Sequence, residues 1–405
     1  MKQRSILFFV AQLLLLATLG GALIGLVPEA RAQIKIGEIN SYSTMPAFTH
    51  PYRNGWQLAL EEINAAGGVL GQKLEVVSKD DSGKPGSAVT IANELVSREK
   101  VVLLMGTFFS HIGLAVADYA KQKKVLFLAA EPLSDAVTWS QGNRYTFRLR
   151  SPVYAQAAML AKEAAKLPAK RWATVAPNYE YGKSAVAAFQ MLLSELRPDI
   201  EWVGEQWPPL FKIDAGPVSQ ALEYAKPDAI FNVTFGSDLS KFIREGTTRK
   251  LFDNRHVVSL LTGEPEYLDP LKTETPIGWL VTGYPWSAIK TKEHGAFLQA
   301  YQRRFKDYPR LGSVVGYATM MSVAAILKKA GSTDTEKMIS AAEGVPVNTP
   351  FGKITFRKED HQSTLGAFVG KTAQQDGKGV MVDWQYANGA DYLPTGDKLK
   401  KLMGR

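Results

Sequence analysis

The sequence predicts an α/β protein with two lobes, each built on a doubly wound parallel sheet. Short apolar strands alternate with amphipathic helices along most of the chain, and strict alternation of this kind places parallel strands between two layers of helices. The alternation pauses near Tyr145–Pro152 and then starts again. The chain has 405 residues, which is enough for two domains of about 100–200 residues each.

The first series of elements lies between residue 33 and the pause. Five apolar residues at helical spacing define the buried face of its first helix, and these are Tyr52, Trp56, Ala59, Leu60 and Ile63. Gly67 and Gly68 end that helix. The strands predicted in this series are Ile34–Ile39, Lys73–Lys79, Val101–Met105 and Val125–Ala130, and the later helices are Ala88–Val96 and Ser110–Gln122.

The second series follows Pro152 with the same alternation. Its predicted helices are Tyr154–Leu167, Ser184–Leu196, Val218–Ala225 and Leu239–Glu245. Its predicted strands are Arg171–Ala176, Glu201–Gln206, Ala229–Val233, His256–Leu261 and Trp279–Thr282. The helices that follow are Gly295–Phe305, Val314–Ala330 and Thr335–Ala342, and the last strands, which have a hairpin pattern, are Ile354–Phe356, Gly366–Val369 and Val380–Trp384.

The first 32 residues have the pattern of a secretory signal peptide. Lys2 and Arg4 precede the uncharged apolar run Ser5–Val27, and Ala30–Ala32 supplies the small residues that signal peptidase recognises. We therefore predict cleavage after Ala32 and a periplasmic mature protein that is not embedded in the membrane. A retained membrane anchor is the alternative, because the apolar run is long enough to span a bilayer.

The composition excludes several classes of site and partner. The chain contains no cysteine, which excludes disulfides, thiolate metal sites and a cysteine nucleophile. The formal net charge is +9, but the basic residues are spread out, so nucleic acid is not an expected partner. The five histidines lie far apart and show no metal-binding spacing. No metal and no cofactor are therefore expected.

The motifs of common enzyme classes are incomplete, and an enzyme is not expected. The chain lacks the G-x-S-x-G turn of hydrolases. Gly182-Lys183-Ser184 has the ending of a phosphate-binding loop, but Pro177 stands where the first glycine is required. Asp80 and Asp81 are adjacent carboxylates, which fit a solvated loop better than acid–base chemistry.

One long segment and several short ones have a combination of residues that is typical of a known family. The long segment is Asn54–Gly83, NGWQLALEEINAAGGVLGQKLEVVSKDDSG, in which Glu62–Gly71 is the most specific part. The short segments are Val101–Ser110, Pro177–Ser184, Lys226–Phe231 and Thr262–Glu266. In this order they resemble the branched-chain amino acid-binding family of periplasmic proteins, which has the type I periplasmic binding fold.

The resemblance implies two lobes joined by a hinge of three crossover strands, with a ligand held between them. It implies one lobe of residues 33–150 and 284–352 and a second lobe of residues 151–283 and 353–405. It further implies the substrate-binding protein of an ABC importer, a Venus flytrap that closes on a small carboxylate-bearing ligand and presents it to permease subunits. We expect a monomer. A periplasmic sensing subunit, an amide or urea binder and an extracytoplasmic enzyme stay open as alternatives.

A site for a carboxylate is expected where the strand Val101–Met105 leads into a helix. Ser110 is a natural N-cap there, and the helix start offers backbone N–H groups and the positive end of a dipole. In the resemblance, Ser110 matches the family serine that holds the ligand carboxylate. Capping alone is the other interpretation of Ser110, and the two roles are compatible.

Aromatic side chains are expected around the same ligand. In the resemblance, Phe48 matches an aromatic position on the first loop, and Tyr181 matches an aromatic position of the second lobe. The further candidates, which follow strands on the cleft side, are Phe108, Phe109, Phe235 and Trp286. Such rings stack on apolar or aromatic ligands, and core packing is the alternative role for each of them.

The ligand's amino group is the least determined part of the predicted site. Glu264 matches the family acid that pairs with an α-ammonium group. The segment Ala129–Ala136 departs from the family, because Leu133 stands where a threonine binds the amine. Glu131 and Ser134 are candidate replacements. An α-amino acid, another small or aromatic carboxylate, and an amide therefore stay open as ligands.

Overall fold

The computed structural model describes residues 33–405, which form two α/β lobes. The cleavage predicted after Ala32 and the apolar run before it lie outside the described residues. The first lobe contains strands β1 (Ile34–Asn40), β2 (Leu74–Asp80), β3 (Leu103–Gly106), β4 (Leu126–Ala129) and β5 (Thr146–Arg148). Its first helices are α1 (Pro46–Ala65), α2 (Pro85–Ser97) and α3 (Ser110–Lys123).

The sheet of the first lobe has the order β2-β1-β3-β4-β5, and its strands are parallel. The central strands β3 and β4 are buried at every position. This burial explains why they appear in the sequence as short apolar runs without alternation, since helices cover both faces of a parallel sheet.

The second lobe repeats this arrangement. Its strands are β6 (Arg171–Val175), β7 (Glu201–Gln206), β8 (Ala229–Asn232), β9 (His256–Gly263) and β10 (Leu280–Gly283). Its helices are α4 (Val153–Ala164), α5 (Glu180–Leu196), α6 (Ala215–Ala225), α7 (Gly236–Thr248) and α8 (Pro265–Leu271).

The remaining elements complete both lobes. They are α9 (Lys292–Phe305), α10 (Leu311–Ala330), α11 (Thr335–Ala342), β11 (Pro346–Thr349), β12 (Gly352–Thr355), β13 (Ala367–Gln375), β14 (Lys378–Ala387) and α12 (Gly396–Leu402). The second sheet has the order β14-β13-β10-β9-β8-β6-β7, in which the hairpin β13–β14 adds two antiparallel strands at one edge. The short hairpin β11–β12 stands apart from both sheets.

Helices α1 and α10 pack with their backbones almost in contact. A Cβ atom on Gly316 would lie 1.9 Å from the carbonyl oxygen of Tyr52, and one on Gly55 would lie 2.0 Å from that of Ser313. Glycine is therefore required at both positions. Helix α10 is long and apolar enough to cross a membrane, but most of it is buried within the protein. It is a core helix of the first lobe.

Three stretches of chain join the lobes: the segment after β5, the segment after β10 and the segment before β13. The first and third run side by side, because Arg148 and Gln362 form a parallel bridge. The backbone N–H of Ser363 also donates to the carbonyl oxygen of Arg148 at 2.9 Å. This is the predicted three-strand hinge, whereas the exact residue boundaries proposed for the lobes stay a prediction.

The sequence patterns missed two strands and two α-helices, and they misassigned one helix cap. Strand β5 has only three residues, and α8 contains Pro265 and Pro270, which mask a helical pattern. The other two missed elements are β11 and the short helix α12. Ser110 was expected to be the N-cap of α3, but the cap residue is Phe109 and Ser110 is the first helical residue.

Candidate functional site

A cavity lies between the two lobes. It is lined by Phe108, Ser110, Glu131, Leu133, Arg150, Tyr179, Tyr181, Phe235, Leu261 and Tyr267. The first five come from the first lobe and its crossover segment, and the others come from the second lobe. A molecule in this cavity therefore contacts both lobes at once.

The cavity lies where parallel strands of both sheets end. Strand β3 ends at Gly106, whose φ of 111° is favourable only for glycine, and a Cβ there would lie 2.4 Å from the carbonyl oxygen of Ile39. The next residue, Thr107, is also left-handed with a φ of 61°. These two conformations turn the chain sharply and direct Phe108 and Ser110 into the cleft. Ligands of open α/β sheets bind at such strand ends.

Ser110 lies at the start of α3 with its side chain buried. Its Oγ accepts a hydrogen bond of 3.1 Å from the backbone N–H of Ser134. The hydroxyl hydrogen of Ser110 is thus available to donate to a ligand, since a serine hydroxyl both donates and accepts. Together with the backbone N–H groups at the helix start, Ser110 provides donors suited to a carboxylate.

Arg150 stands between two buried glutamates. Its Nη1 donates to Oε2 of Glu131 at 2.8 Å, and its Nη2 donates to Oε1 of Glu264. The side chains of Glu131 and Glu264 are each 1% exposed and that of Arg150 is 7% exposed. Charge-assisted pairs of this kind position both partners firmly, provided that their charges balance.

Burial governs the protonation of these carboxyls. It raises the pKa of Glu131 to about 7, although the charge of Arg150 acts in the opposite direction. Burial also raises the pKa of Glu264 well above its usual value, again against the effect of Arg150. For Arg150, burial lowers the pKa, but Glu264 and Glu131 more than compensate and raise it. The guanidinium therefore stays charged, while burial favours the neutral form of each carboxyl.

Aromatic rings form most of the remaining wall. The ring of Tyr181 lies edge-on to that of Phe235 with centroids 5.7 Å apart, and Tyr179 contacts both. Phe108 closes the cluster from the first lobe at 6.4 Å from Phe235. These rings present an apolar surface of the kind on which aromatic or branched apolar groups pack.

Two polar atoms of the wall have no hydrogen-bond partner among residues 33–405. They are the hydroxyl of Tyr181 and Oε1 of Glu131, and both are buried. Buried polar atoms are almost always satisfied in folded proteins. An occupant of the cavity that carries polar groups would satisfy these two.

The structure brings five of the eight predicted site residues to the cavity wall or to Arg150. Ser110, Glu131, Tyr181 and Phe235 line the cavity. Glu264 contacts Arg150 and lines a neighbouring cavity on the hinge side, together with Gln156 and Thr282. The resemblance predicts that Glu264 pairs with a ligand ammonium group. In the structure its Oε1 accepts from Arg150, and its Oε2 is buried without a hydrogen-bond partner among residues 33–405.

The other three predicted site residues lie behind the wall. Phe48 was expected on a loop, but it lies in the first turn of α1, with its ring 5.1 Å from that of Phe108. Phe109 is 2% exposed and supports Phe108 at 5.0 Å, edge to face. Ser134 donates through Oγ to Oε1 of Glu180 at 2.6 Å. Phe48 and Phe109 thus support Phe108 from behind, whereas Ser134 contacts Ser110 through its backbone N–H.

Trp286 was also expected on the cleft side. Its ring instead stacks on Tyr308, with centroids 4.5 Å apart, away from the cavity. The segment after Gly283 turns there toward α9, and this turn carries the side chain away from the strand ends. A residue that follows a strand reaches the cleft only where the chain continues in that direction.

Contacts between the lobes surround the cavity. Besides the bond from Ser134 to Glu180, the backbone N–H of Asp135 donates to Oγ of Ser184 at 3.1 Å. These bonds join the loop after β4 to the start of α5. Burial raises the pKa of Asp135 to about 7, although Arg148 opposes this effect. The contacts hold the two lobes together in the conformation described here.

Arg150 is the main site residue that the sequence patterns missed. The signal lies in the stretch Thr146–Ser151, where Arg148 and Arg150 occur in an otherwise apolar, buried-type segment. An arginine is rarely buried without a partner. Its position in such a segment therefore indicates a buried ion pair, although the partner Glu264 is far away in the sequence.

A protein-family model described as "Periplasmic binding protein" matches residues 33–378 of the chain. Among curated proteins, the Leu/Ile/Val-binding protein BraC3 of Rhizobium johnstonii is 27% identical over 358 residues. The matched part covers 84% of this chain and 92% of that relative. The similarity thus extends over nearly the full length of both proteins.

Solved structures share the same fold. A solute-binding protein of an ABC transporter from Rhodopseudomonas palustris, in complex with 3,4-dihydroxybenzoic acid, matches with a TM-score of 0.77 and 24% identity, covering 88% of this chain and 98% of that one. The closed conformation of a leucine-, isoleucine-, valine-, threonine- and alanine-binding protein from Brucella ovis matches with a TM-score of 0.79 and 19% identity, covering 90% and 97%.

Proposed function

The chain belongs to the periplasmic binding protein family, and on this premise we propose that it is the substrate-binding protein of an ABC importer. Membership implies a periplasmic protein that binds a small molecule. The observation that supports the proposal most directly is the cavity between the lobes, in which Ser110, Arg150 and a cluster of aromatic rings converge.

The proposed ligand is a small carboxylate with an apolar or aromatic body. Arg150 and the N-terminus of α3 supply donors for the carboxylate. The rings of Phe108, Tyr181 and Phe235 supply the apolar surface. The related structures hold or are named for small carboxylates, 3,4-dihydroxybenzoic acid in one and leucine, isoleucine, valine, threonine and alanine in the other.

Binding is proposed to close the two lobes around the hinge. The ligand contacts residues of both lobes only in the closed state, so it binds that state more tightly and increases its population. The bonds between the Ser134–Asp135 loop and the start of α5 join the lobes beside the site. The closed protein then delivers its ligand to the permease subunits.

The export route belongs to the same proposal. Residues 1–32 are proposed to act as a signal peptide cleaved after Ala32, which releases a monomer that begins at Gln33. N-terminal sequencing of the exported protein tests the position of cleavage. A protein that retained Met1 would contradict this part of the proposal without affecting the binding site.

A thermal-shift screen tests the proposed ligand class. The mature protein is first unfolded and refolded to remove any bound compound, and then exposed to amino acids, aromatic carboxylates, short dicarboxylates, amides and urea. A ligand at 100 times its Kd stabilises the folded state by about 2.7 kcal/mol, which raises Tm by several degrees. A shift with amides alone, or with no carboxylate, would refute the proposed ligand.

A further inference from the structure

The cleft contains an acid that already occupies part of the position expected for a ligand carboxylate. Oε2 of Glu131 lies 2.8 Å from Nη1 of Arg150, and both side chains line the cavity. The other oxygen of Glu131, Oε1, is buried and has no hydrogen-bond partner within residues 33–405. A ligand carboxylate that approaches Arg150 therefore meets a second carboxylate.

Several ionisable groups face Glu131. They are Arg150 from the segment after β5, Glu264 and Glu266 from the turn and helix after β9, and Tyr52 from α1. Arg150 is the cation of this group, and Glu266 is held separately by the backbone N–H of Gly312 at 2.8 Å. The single guanidinium already faces two carboxyls before any ligand arrives.

Adding another negative charge to this buried group is unfavourable. A carboxylate that enters a site of low dielectric constant needs a cation or a proton to balance it. A ligand with an ammonium group brings its own balancing charge. A ligand without one must obtain a proton, and burial already raises the pKa of Glu131 to about 7. That value leaves Glu131 largely ionised at pH 8 and ready to take up a proton.

We infer that Glu131 determines specificity in the proposed binding site, because a carboxylate without an ammonium group binds together with one proton on Glu131, whereas a zwitterion binds without one. In this exchange, the ligand carboxylate accepts the hydrogen bond of Nη1 of Arg150. The Glu131 carboxylate takes a proton from a buffer acid and forms an O–H bond, which donates to the ligand. The inference rests on the proposed function.

Proton uptake on binding makes the affinity for the carboxylate depend on pH in one direction. Because the bound carboxylate favours the protonated form of Glu131, affinity is highest below about pH 7 and falls as the pH rises. The fall approaches about tenfold per pH unit where one proton is taken up. A zwitterion shows no such fall between pH 6 and pH 8. The cleft thus changes its preference between the two ligand types with pH.

Isothermal titration calorimetry in buffers of different ionisation enthalpy measures the proton directly. The probes are 4-hydroxybenzoate and the pair 3-phenylpropanoate and phenylalanine, which differ only by the ammonium group. At pH 8 we expect uptake of about one proton with 4-hydroxybenzoate or 3-phenylpropanoate and of none with phenylalanine. At pH 6 we expect little uptake with any probe.

Two variants separate Glu131 from other buried acids. Glu131→Gln removes the proton uptake and binds 4-hydroxybenzoate about tenfold more tightly than the wild type at pH 8, because the amide is neutral at every pH. Glu38→Gln is the matched control, since burial also raises the pKa of Glu38 to about 7 but Glu38 does not line the cavity. It is expected to keep the proton uptake of the wild type.

The outcomes distinguish this inference from the proposed function. Binding of 4-hydroxybenzoate with equal affinity at pH 6 and pH 8 and without proton uptake would overturn the inference alone. The same holds if uptake persists in Glu131→Gln with circular dichroism showing a native fold. Failure of every carboxylate in the panel to bind the wild type would overturn the proposed function and the inference together.

Discussion

A guanidinium between two buried carboxyls is an arrangement in which each side chain depends on the others. Arg150 balances Glu131 and Glu264, and burial raises the pKa of both acids because water is excluded from them. The sequence offered both glutamates as candidate site residues, Glu264 by resemblance and Glu131 as a replacement where the chain departs from the family, but not the arginine that holds them. The protonation of each of these side chains is therefore determined by the groups that it meets across the cleft.

Arg150→Gln should destabilise the ligand-free protein at pH 8. Removing one partner of a buried ion pair leaves uncompensated charge and costs about 3–5 kcal/mol. The loss should be smaller at pH 5, where Glu131 and Glu264 hold protons because their pKa values are raised. Urea unfolding at the two pH values measures the difference. Arg150→Lys, which keeps the charge, is the control, and equal loss in both variants would contradict this account.

Glu38 should make the folded protein less stable as the pH rises. Burial raises the pKa of Glu38 from 4.5 to about 7, so the folded state holds a proton that the unfolded chain releases. Its contribution is therefore most favourable below pH 4.5, and about 3 kcal/mol is lost as the pH rises to about 7. Glu38→Gln should lack this loss. Urea unfolding measured as a function of pH gives the free energy of unfolding of both proteins. The same pH dependence in Glu38→Gln and the wild type would contradict the prediction.

Helices and strands follow the sequence patterns closely where apolar residues keep a regular spacing. Helix α11 spans Thr335–Ala342 and strand β7 spans Glu201–Gln206, as the patterns predicted. The patterns failed for β5, which has only three residues, and for α8, which contains two prolines, because neither segment shows enough periodicity. Element ends are also decided by tertiary contacts, as the shift of the α3 cap from Ser110 to Phe109 illustrates.

The contact between α1 and α10 should not tolerate a methyl group. Gly316→Ala would place Cβ 1.9 Å from the carbonyl oxygen of Tyr52, and we expect a loss of about 1–3 kcal/mol through overpacking. Gly295→Ala in α9 is the matched control, because apart from its chain neighbours and the adjoining backbone of its own helix, no heavy atom of the described residues lies within 4 Å of its Cβ position. The control should gain up to about 1 kcal/mol from helix propensity. Thermal unfolding compares the two, and equal Tm values would contradict the prediction.

The molecule as a whole is organised around one cleft. Each lobe directs the carboxyl ends of its parallel strands toward the other, and three connecting segments join the lobes on one side. A small molecule that contacts both lobes gains most of its binding energy only when they are closed. The fold thereby converts ligand contacts of a few residues into a movement of the whole protein.

Small-angle scattering should detect this movement. Refolded, ligand-free protein is expected to have a larger radius of gyration than the protein saturated with its tightest carboxylate ligand, because the open state separates the lobes. Ser184→Ala should shift the ligand-free population further toward the open state, since it removes the acceptor of the Asp135 N–H. An unchanged radius of gyration at saturation would contradict closure by the hinge.

The sequence by itself determined the α/β class, the number of lobes and the family, because these depend on periodic apolar burial and on local motifs such as Glu62–Gly71. The structural comparison and the family match confirm these predictions. Tertiary structure alone decided that Arg150 joins Glu131 to Glu264 and that Phe48 and Phe109 support the cavity from behind. Arg150 and Glu264 are 114 residues apart, and no local pattern determines which distant groups meet when two lobes pack together.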